Sequence, residues 1–211
     1  MLSVVVLISG SGSNLKALLE AADNPLNGIR ILAVGADNPA SGLEHAELFN
    51  VPTFVVAPQN FDNREAWSKV LLENVKFYNP DLVVLAGFMR ILPASFVSAL
   101  SPNLINTHPS LLPAFPGAHA VRDALAAGAT VTGVTVHVVD QGVDTGPRIA
   151  QVSVAVLEGD SEFELHERIK TVERQLLISV VRDIAAGNLN LANLDPLNQN
   201  HLAQPAAKNF H

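Results

Sequence analysis

Short, nearly unbroken apolar runs separated by helical periods constrain this chain more than any other feature. Val4–Ile8, Ile29–Val34, Thr53–Val56, Leu82–Ala86 and Leu104–Ile105 carry a single charge among them, Arg30, and turn residues bound them. A strand with water on one side alternates apolar and polar residues. A strand that is apolar throughout is covered on both sides, as in a parallel sheet flanked by helices. Helical stripes lie between the runs. Leu15, Leu18, Leu19 and Ala22 form one, and Trp67, Val70, Leu71, Asn74, Val75 and Tyr78 form another, with Lys69, Glu73 and Lys76 on other faces. Strand and helix alternate, so the pattern predicts a Rossmann-like, doubly wound α/β fold with right-handed crossovers.

The pattern changes after Thr130. Val131–Val139 and Ile149–Val156 are rich in Val and Thr and are separated by the Gly-containing stretch Asp140–Pro147. They are expected to pair as an antiparallel extension of the mostly parallel sheet. Ser161 with Glu164 three residues on is a capping box ahead of Leu165, Ile169, Val172, Leu176, Leu177 and Val180, which predicts a long helix running to Gly187. Residues 1–187 read as one domain, and 188–211 as a surface-hugging tail.

Composition narrows the function classes. At 211 residues and 48% apolar, the chain can bury a core without metals or disulfides. It has no cysteine, which removes disulfides, thiolate nucleophiles and Cys-ligated zinc and is compatible with a reducing cytoplasm. A net charge of -7 with no basic run argues against nucleic-acid binding. No segment approaches the roughly 20 consecutive apolar residues of a membrane helix. The uncharged start, Met1 to Leu15, is not a secretory signal, because its apolar run stops at Ser9-Gly10-Ser11-Gly12-Ser13. A soluble, cytoplasmic protein is expected.

Three motifs carry chemistry. Ser9-Gly10-Ser11-Gly12-Ser13-Asn14 joins the first strand to the first helix. Glycines allow close backbone approach, and amides at a helix start attract an anion, so a phosphate is the natural occupant. A plain turn with Ser13 or Asn14 as N-cap is the alternative. A dinucleotide fingerprint would need a third glycine where Leu15 stands. The second motif is Asn106-Thr107-His108-Pro109-Ser110-Leu111-Leu112-Pro113, continuing to His119, at the polar C-terminal end of a buried strand. Asn106 and His108, two residues apart on extended chain, project to one side and can stabilise an oxyanion and move a proton. A Pro-rigid structural loop is the alternative. The third is Asp140-Gln141-Gly142-Val143-Asp144-Thr145-Gly146, an ordinary turn unless one of its carboxylates meets His108. His137 lies in an apolar strand and reads as a satisfied core residue. His108, His119 and His137 lack metal-ligand spacing, so no metal is expected.

These segments, together with Leu85-Ala86-Gly87-Phe88-Met89-Arg90-Ile91-Leu92, resemble the folate-dependent formyltransferases over about residues 2 to 186. Within that family, the short length and the phosphate loop point to the branch that formylates glycinamide ribonucleotide. The resemblance implies that 10-formyltetrahydrofolate is co-substrate and that no metal takes part. It places the ribonucleotide on Gly12, Ser13, Asn14, Lys170 and Glu173. It places the folate on Arg64, Met89, Arg90, Ile91, Leu92, Asn106, Asp140, Gln141, Gly142, Val143 and Asp144. The phosphate site thus falls in the N-terminal half, and the catalytic and folate sites in the C-terminal half. The catalytic trio it implies is Asn106 and His108, stabilising a tetrahedral intermediate, with Asp144 supporting His108. Both ligands are anionic while the chain is net acidic, so recognition must rest on local amides and placed cations such as Arg64 and Arg90.

Small-molecule partners, a monomer or homodimer, and no nucleic acid or membrane complete the expectation. The rivals are a formyltetrahydrofolate hydrolase, a nucleotide-binding dehydrogenase in which Asp37 imitates the ribose-binding acid, and a phosphate-binding module that leaves the trio idle.

Overall fold

The computed structural model describes residues 1–194, so most of the expected tail, 195–211, lies outside the described residues. The elements run β1 (Leu2–Ile8), α1 (Ser13–Asp23), β2 (Ile29–Ala36), α2 (Leu43–Leu48), β3 (Thr53–Val55), α3 (Arg64–Phe77) and β4 (Leu82–Leu85). Then come α4 (Ala94–Leu100), β5 (Leu104–His108), α5 (Ala120–Ala126), β6 (Val131–Val138), β7 (Arg148–Ala155) and α6 (Glu162–Ala185). The strands form one sheet in the order β3-β2-β1-β4-β5-β6-β7. The first five strands pair in parallel, while β6 and β7 pair antiparallel, as the sequence predicts.

That order puts a topological switch point between β1 and β4. The chain leaves β1 toward β2 on one side and leaves β4 toward β5 on the other, which opens a crevice at the carboxyl ends of the strands. Both candidate binding loops that follow these strands open at that edge.

The apolar runs are unbroken because both sheet faces are buried. Val4, Val6, Ile8, Val84 and Ile105 meet Leu15, Leu18, Leu165, Ile169 and Leu177 of α1 and α6. Val5, Leu7, Val83, Leu85 and Leu104 point the other way, onto Trp67, Leu71 and Phe96 of α3 and α4. The Trp67 indole donates to the Val56 carbonyl over 2.7 Å, so the bulkiest core side chain leaves no polar atom unpaired.

The structure differs from the sequence reading at β5, which runs to His108 instead of stopping at Ile105. The antiparallel partner β6 lies alongside and extends the ladder, pairing Asn106 with His137 and His108 with Thr135. Asn106 and His108 therefore sit inside the sheet, on the α3–α4 face, with Thr107 turned toward α6.

The α6 cap forms as expected. The Ser161 hydroxyl accepts from the Glu164 amide at 3.2 Å, and the Glu164 carboxylate accepts from the Ser161 amide at 2.9 Å. Gly187, at φ 75, follows its end in the left-handed conformation. Ser161→Ala is expected to remove about 1 kcal/mol and lower Tm by about 2–4 °C, read by thermal denaturation. Just beyond, Leu191 is buried in the α6-side core, so the residues that follow Gly187 pack onto it.

Candidate active site

Asn106, His108 and Asp144 come together at the end of β5. Asp144 Oδ2 lies 3.4 Å from His108 Nδ1, and His108 Nε2 donates to the Phe115 carbonyl over 2.8 Å. Both ring nitrogens thus face acceptors, which fixes the orientation of the ring. The Gly117 amide donates to Asp144 Oδ2 at 2.8 Å and fixes the carboxylate. Asp144 and Phe115 both hold positive φ, at 56° and 52°, so the backbone is strained at two points of this one cluster. A Cβ on Gly146 would stand 1.8 Å from the Val138 carbonyl, so the turn that presents Asp144 needs glycine there.

His137 belongs to this cluster, which corrects its reading as a mere core residue. It is buried, as expected, but its Nε2 lies 3.2 Å from Asn106 Nδ2 and 3.5 Å from Asp144 Oδ1. Its Nδ1 donates to the Val138 carbonyl at 3.0 Å, which fixes the ring with Nε2 between the Asn106 amide and the Asp144 carboxylate. The amide is thereby oriented. Burial raises the Asp144 pKa, but the hydrogen bond with His137, that from Gly117 and the neighbouring imidazole charges outweigh it, and the carboxyl sits below its ordinary 3.8.

The loop after β1 differs in detail from the alternative reading with Ser13 or Asn14 as cap. Gly12 is the N-cap of α1, in the left-handed region at φ 70, and no side chain caps the helix. Its first turn holds no acidic residue, so the amides that open α1 remain available to an anion. Gly12 also packs on Gly42, where an added Cβ would approach within 2.7 Å of the Gly10 carbonyl. That second glycine gave no signal in the sequence. Asn14 is buried, with its Oδ1 unpartnered among the described residues.

The segment after β4 is tied to this loop. The Met89 amide donates to Ser9 Oγ at 2.8 Å, and the Ser9 amide donates to the Gly87 carbonyl at 3.0 Å. Arg90, expected as a cation placed for ligand, has its Nε 2.5 Å from the buried Asp37 carboxylate. Asp37 is thus engaged at home, which weighs against the ribose-binding role it would have in a dehydrogenase. Leu92 is buried, whereas Met89 and Ile91 are 73% and 60% exposed. Val143 is exposed too, and Gln141 of the same loop lies 3.4 Å from Ser98 Oγ on α4, the helix that follows Met89–Leu92. Asp140 accepts from the Gly142 amide at 3.1 Å and from Thr145 Oγ1 at 2.8 Å, so it shapes its own loop. Arg64 is exposed in the first turn of α3, and no side-chain hydrogen bond among the described residues ties it to the cluster.

On α6, Glu173 is buried against β5, where it accepts from Thr107 Oγ1. Lys170, one turn earlier, pairs with Glu167 at 2.7 Å. Among the described residues no group of three or more His, Cys, Asp or Glu side chains is placed to hold a metal ion, and no helix is long and apolar enough to cross a membrane.

Residues 2–181 match the formyl transferase family. A phosphoribosylglycinamide formyltransferase of Mycobacterium tuberculosis is 50% identical over 184 residues, covering 86% of this chain and 84% of that one. The enzyme of the same name from Escherichia coli K12 is 41% identical over 191 residues, covering 90% of each. The crystal structure of glycinamide ribonucleotide transformylase 1 from Symbiobacterium toebii superposes with a TM-score of 0.87 at 41% identity, over 90% of both chains.

Proposed function

The chain belongs to the formyl transferase family, and from that premise we propose that it formylates the amine of glycinamide ribonucleotide in purine biosynthesis. 10-Formyltetrahydrofolate supplies the one-carbon unit. The reading extends to a cytoplasmic enzyme, monomeric or homodimeric, that needs no metal.

The neutral amine attacks the formyl carbon, a C–N bond forms, and the carbonyl oxygen gains negative charge. Asn106 Nδ2, oriented by His137, and His108 Nε2 donate to that oxygen; one such donor is worth about 3–4 kcal/mol in comparable sites. The oxygen competes with the Phe115 carbonyl for the Nε2 proton, and it gains the proton more strongly as its charge grows. Asp144 favours the charged ring throughout. The attacking nitrogen then loses a proton and the folate nitrogen takes one up, directly or through water, so that the bond between the formyl carbon and the folate nitrogen breaks as the oxyanion re-forms the carbonyl, releasing tetrahydrofolate. The phosphate of the ribonucleotide rests on the amides of Gly12, Ser13 and Asn14, with Lys170 and Glu173 of α6 along the same ligand. The folate lies across Arg64, Met89–Leu92 and residues 140–144.

The observation that carries this reading is the convergence of a paired amide and imidazole, backed by a carboxylate, at the same sheet edge as an uncapped helix start. The protein incubated with 10-formyltetrahydrofolate is expected to convert it only when glycinamide ribonucleotide is added. Conversion in water alone would make it a hydrolase, and no conversion in either case would return it to the binding-module or dehydrogenase class.

A further inference from the structure

Glu173 is a carboxylate buried to 8% exposure with no cation bonded to it among the described residues. The charged groups nearest along α6 are otherwise engaged or discharged. Lys170 pairs with Glu167, and burial together with the Lys170 charge holds the His166 imidazole below its usual pKa. The one side chain that hydrogen-bonds Glu173 among the described residues is Thr107, which donates through Oγ1 to Oε1. Thr107 stands between Asn106 and His108 on β5, 7% exposed, and faces α6 because alternate strand residues face opposite sides.

We propose that Thr107 is a positioning residue for substrate binding: its hydroxyl fixes one oxygen of Glu173 and leaves the other aimed at the sugar hydroxyls of the ribonucleotide. This rests on the reading given under Proposed function. A ribonucleotide spans a phosphate at one end and the reacting amine at the other, with the ribose diol between. Glu173 packs against the strand that carries Asn106 and His108, and α6 packs beside α1, whose start forms the phosphate cradle. A diol offers two O–H donors, and an ionised carboxylate only accepts, so the pair is complementary. One donor from the protein leaves most of the carboxylate's acceptor capacity unmet, which a buried site tolerates best when a ligand completes it. Thr, branched at Cβ, holds its hydroxyl in a restricted rotamer, and β5 is locked between two neighbouring strands. The same strand therefore sets both the reacting groups and the carboxylate that registers the sugar.

Thr107→Val keeps the branched shape and removes the donor. It is expected to raise KM for glycinamide ribonucleotide roughly tenfold, with kcat and the KM for 10-formyltetrahydrofolate within about threefold of wild type. Thr107→Ser restores the donor and is expected to return KM to within about threefold. Thr107→Ala removes the hydroxyl a second way, should valine pack badly. In a Glu173→Gln background, the Val substitution is expected to add less than about twofold, because its effect passes through the carboxylate. An unchanged KM in both the Val and Ala variants, a loss confined to kcat, a Ser variant as impaired as Val, or full additivity with Glu173→Gln would each overturn the proposal. Wild-type turnover that does not depend on the ribonucleotide would instead overturn the functional reading beneath it.

Discussion

His108→Ala is expected to lower kcat by roughly 10³-fold or more, with the KM values of both substrates within a few-fold of wild type. The split follows from where the ring sits. His108 side-chain exposure is 6%, and its two nitrogens already have acceptors in Asp144 and the Phe115 carbonyl. The ring is therefore held in place before any ligand arrives and adds little to ground-state binding. In the proposed mechanism its effect comes when charge develops on the formyl oxygen and the Nε2 proton is drawn from a neutral carbonyl toward an anion. An interaction made only in the transition state is lost from kcat and kcat/KM together, and steady-state kinetics on both substrates reads that signature. Retained turnover would remove His108 from the chemistry. Substrate KM values that rise while kcat holds would recast it as a binding residue.

What the sequence made legible here was whatever depends on neighbours along the chain. The apolar runs, the α6 capping box and the same-side placement of Asn106 and His108 follow from period and spacing over a few residues, and each is present in the structure. What escaped depends on pairings between distant segments. His137 reaches Asn106 across 31 residues because β5 and β6 pair in one particular register, and no local pattern encodes that register. Its burial was readable from the surrounding valines; the company it keeps was not. Arg90 meets Asp37 across 53 residues and Thr107 meets Glu173 across 66, each joining elements that only the strand order brings together. The cap of α1 was missed for a smaller reason. Ser13 and Asn14 are good capping residues, but Gly12 alone adopts the left-handed turn that lets the loop lie against Gly42.

Asp144→Asn separates charge from shape at the same site. Asparagine keeps the size and still offers an oxygen to the Gly117 amide, so binding of both ligands is expected to stay within a few-fold of wild type. Turnover is expected to fall by roughly 10²- to 10⁴-fold, because the carboxylate charge beside the His108 ring is lost. The pH dependence sharpens the test. Burial raises the Asp144 pKa, yet the His137 and Gly117 hydrogen bonds and the imidazole charges bring the net value below 3.8. The carboxylate is thus ionised at every pH from about 5 to 9, and the Asn variant is expected to be slow across that whole range. A group whose folded pKa is depressed contributes stability above its unfolded pKa and loses it as pH falls through the folded one. The stability gap between wild type and Asp144→Asn, read from urea midpoints, is therefore expected to be present at about pH 5 and to shrink as pH drops below the unfolded value. Wild-type turnover in the variant at any pH in the upper range would exclude a catalytic role for the charge. A gap that widened on acidification would reverse the assigned direction of the pKa shift.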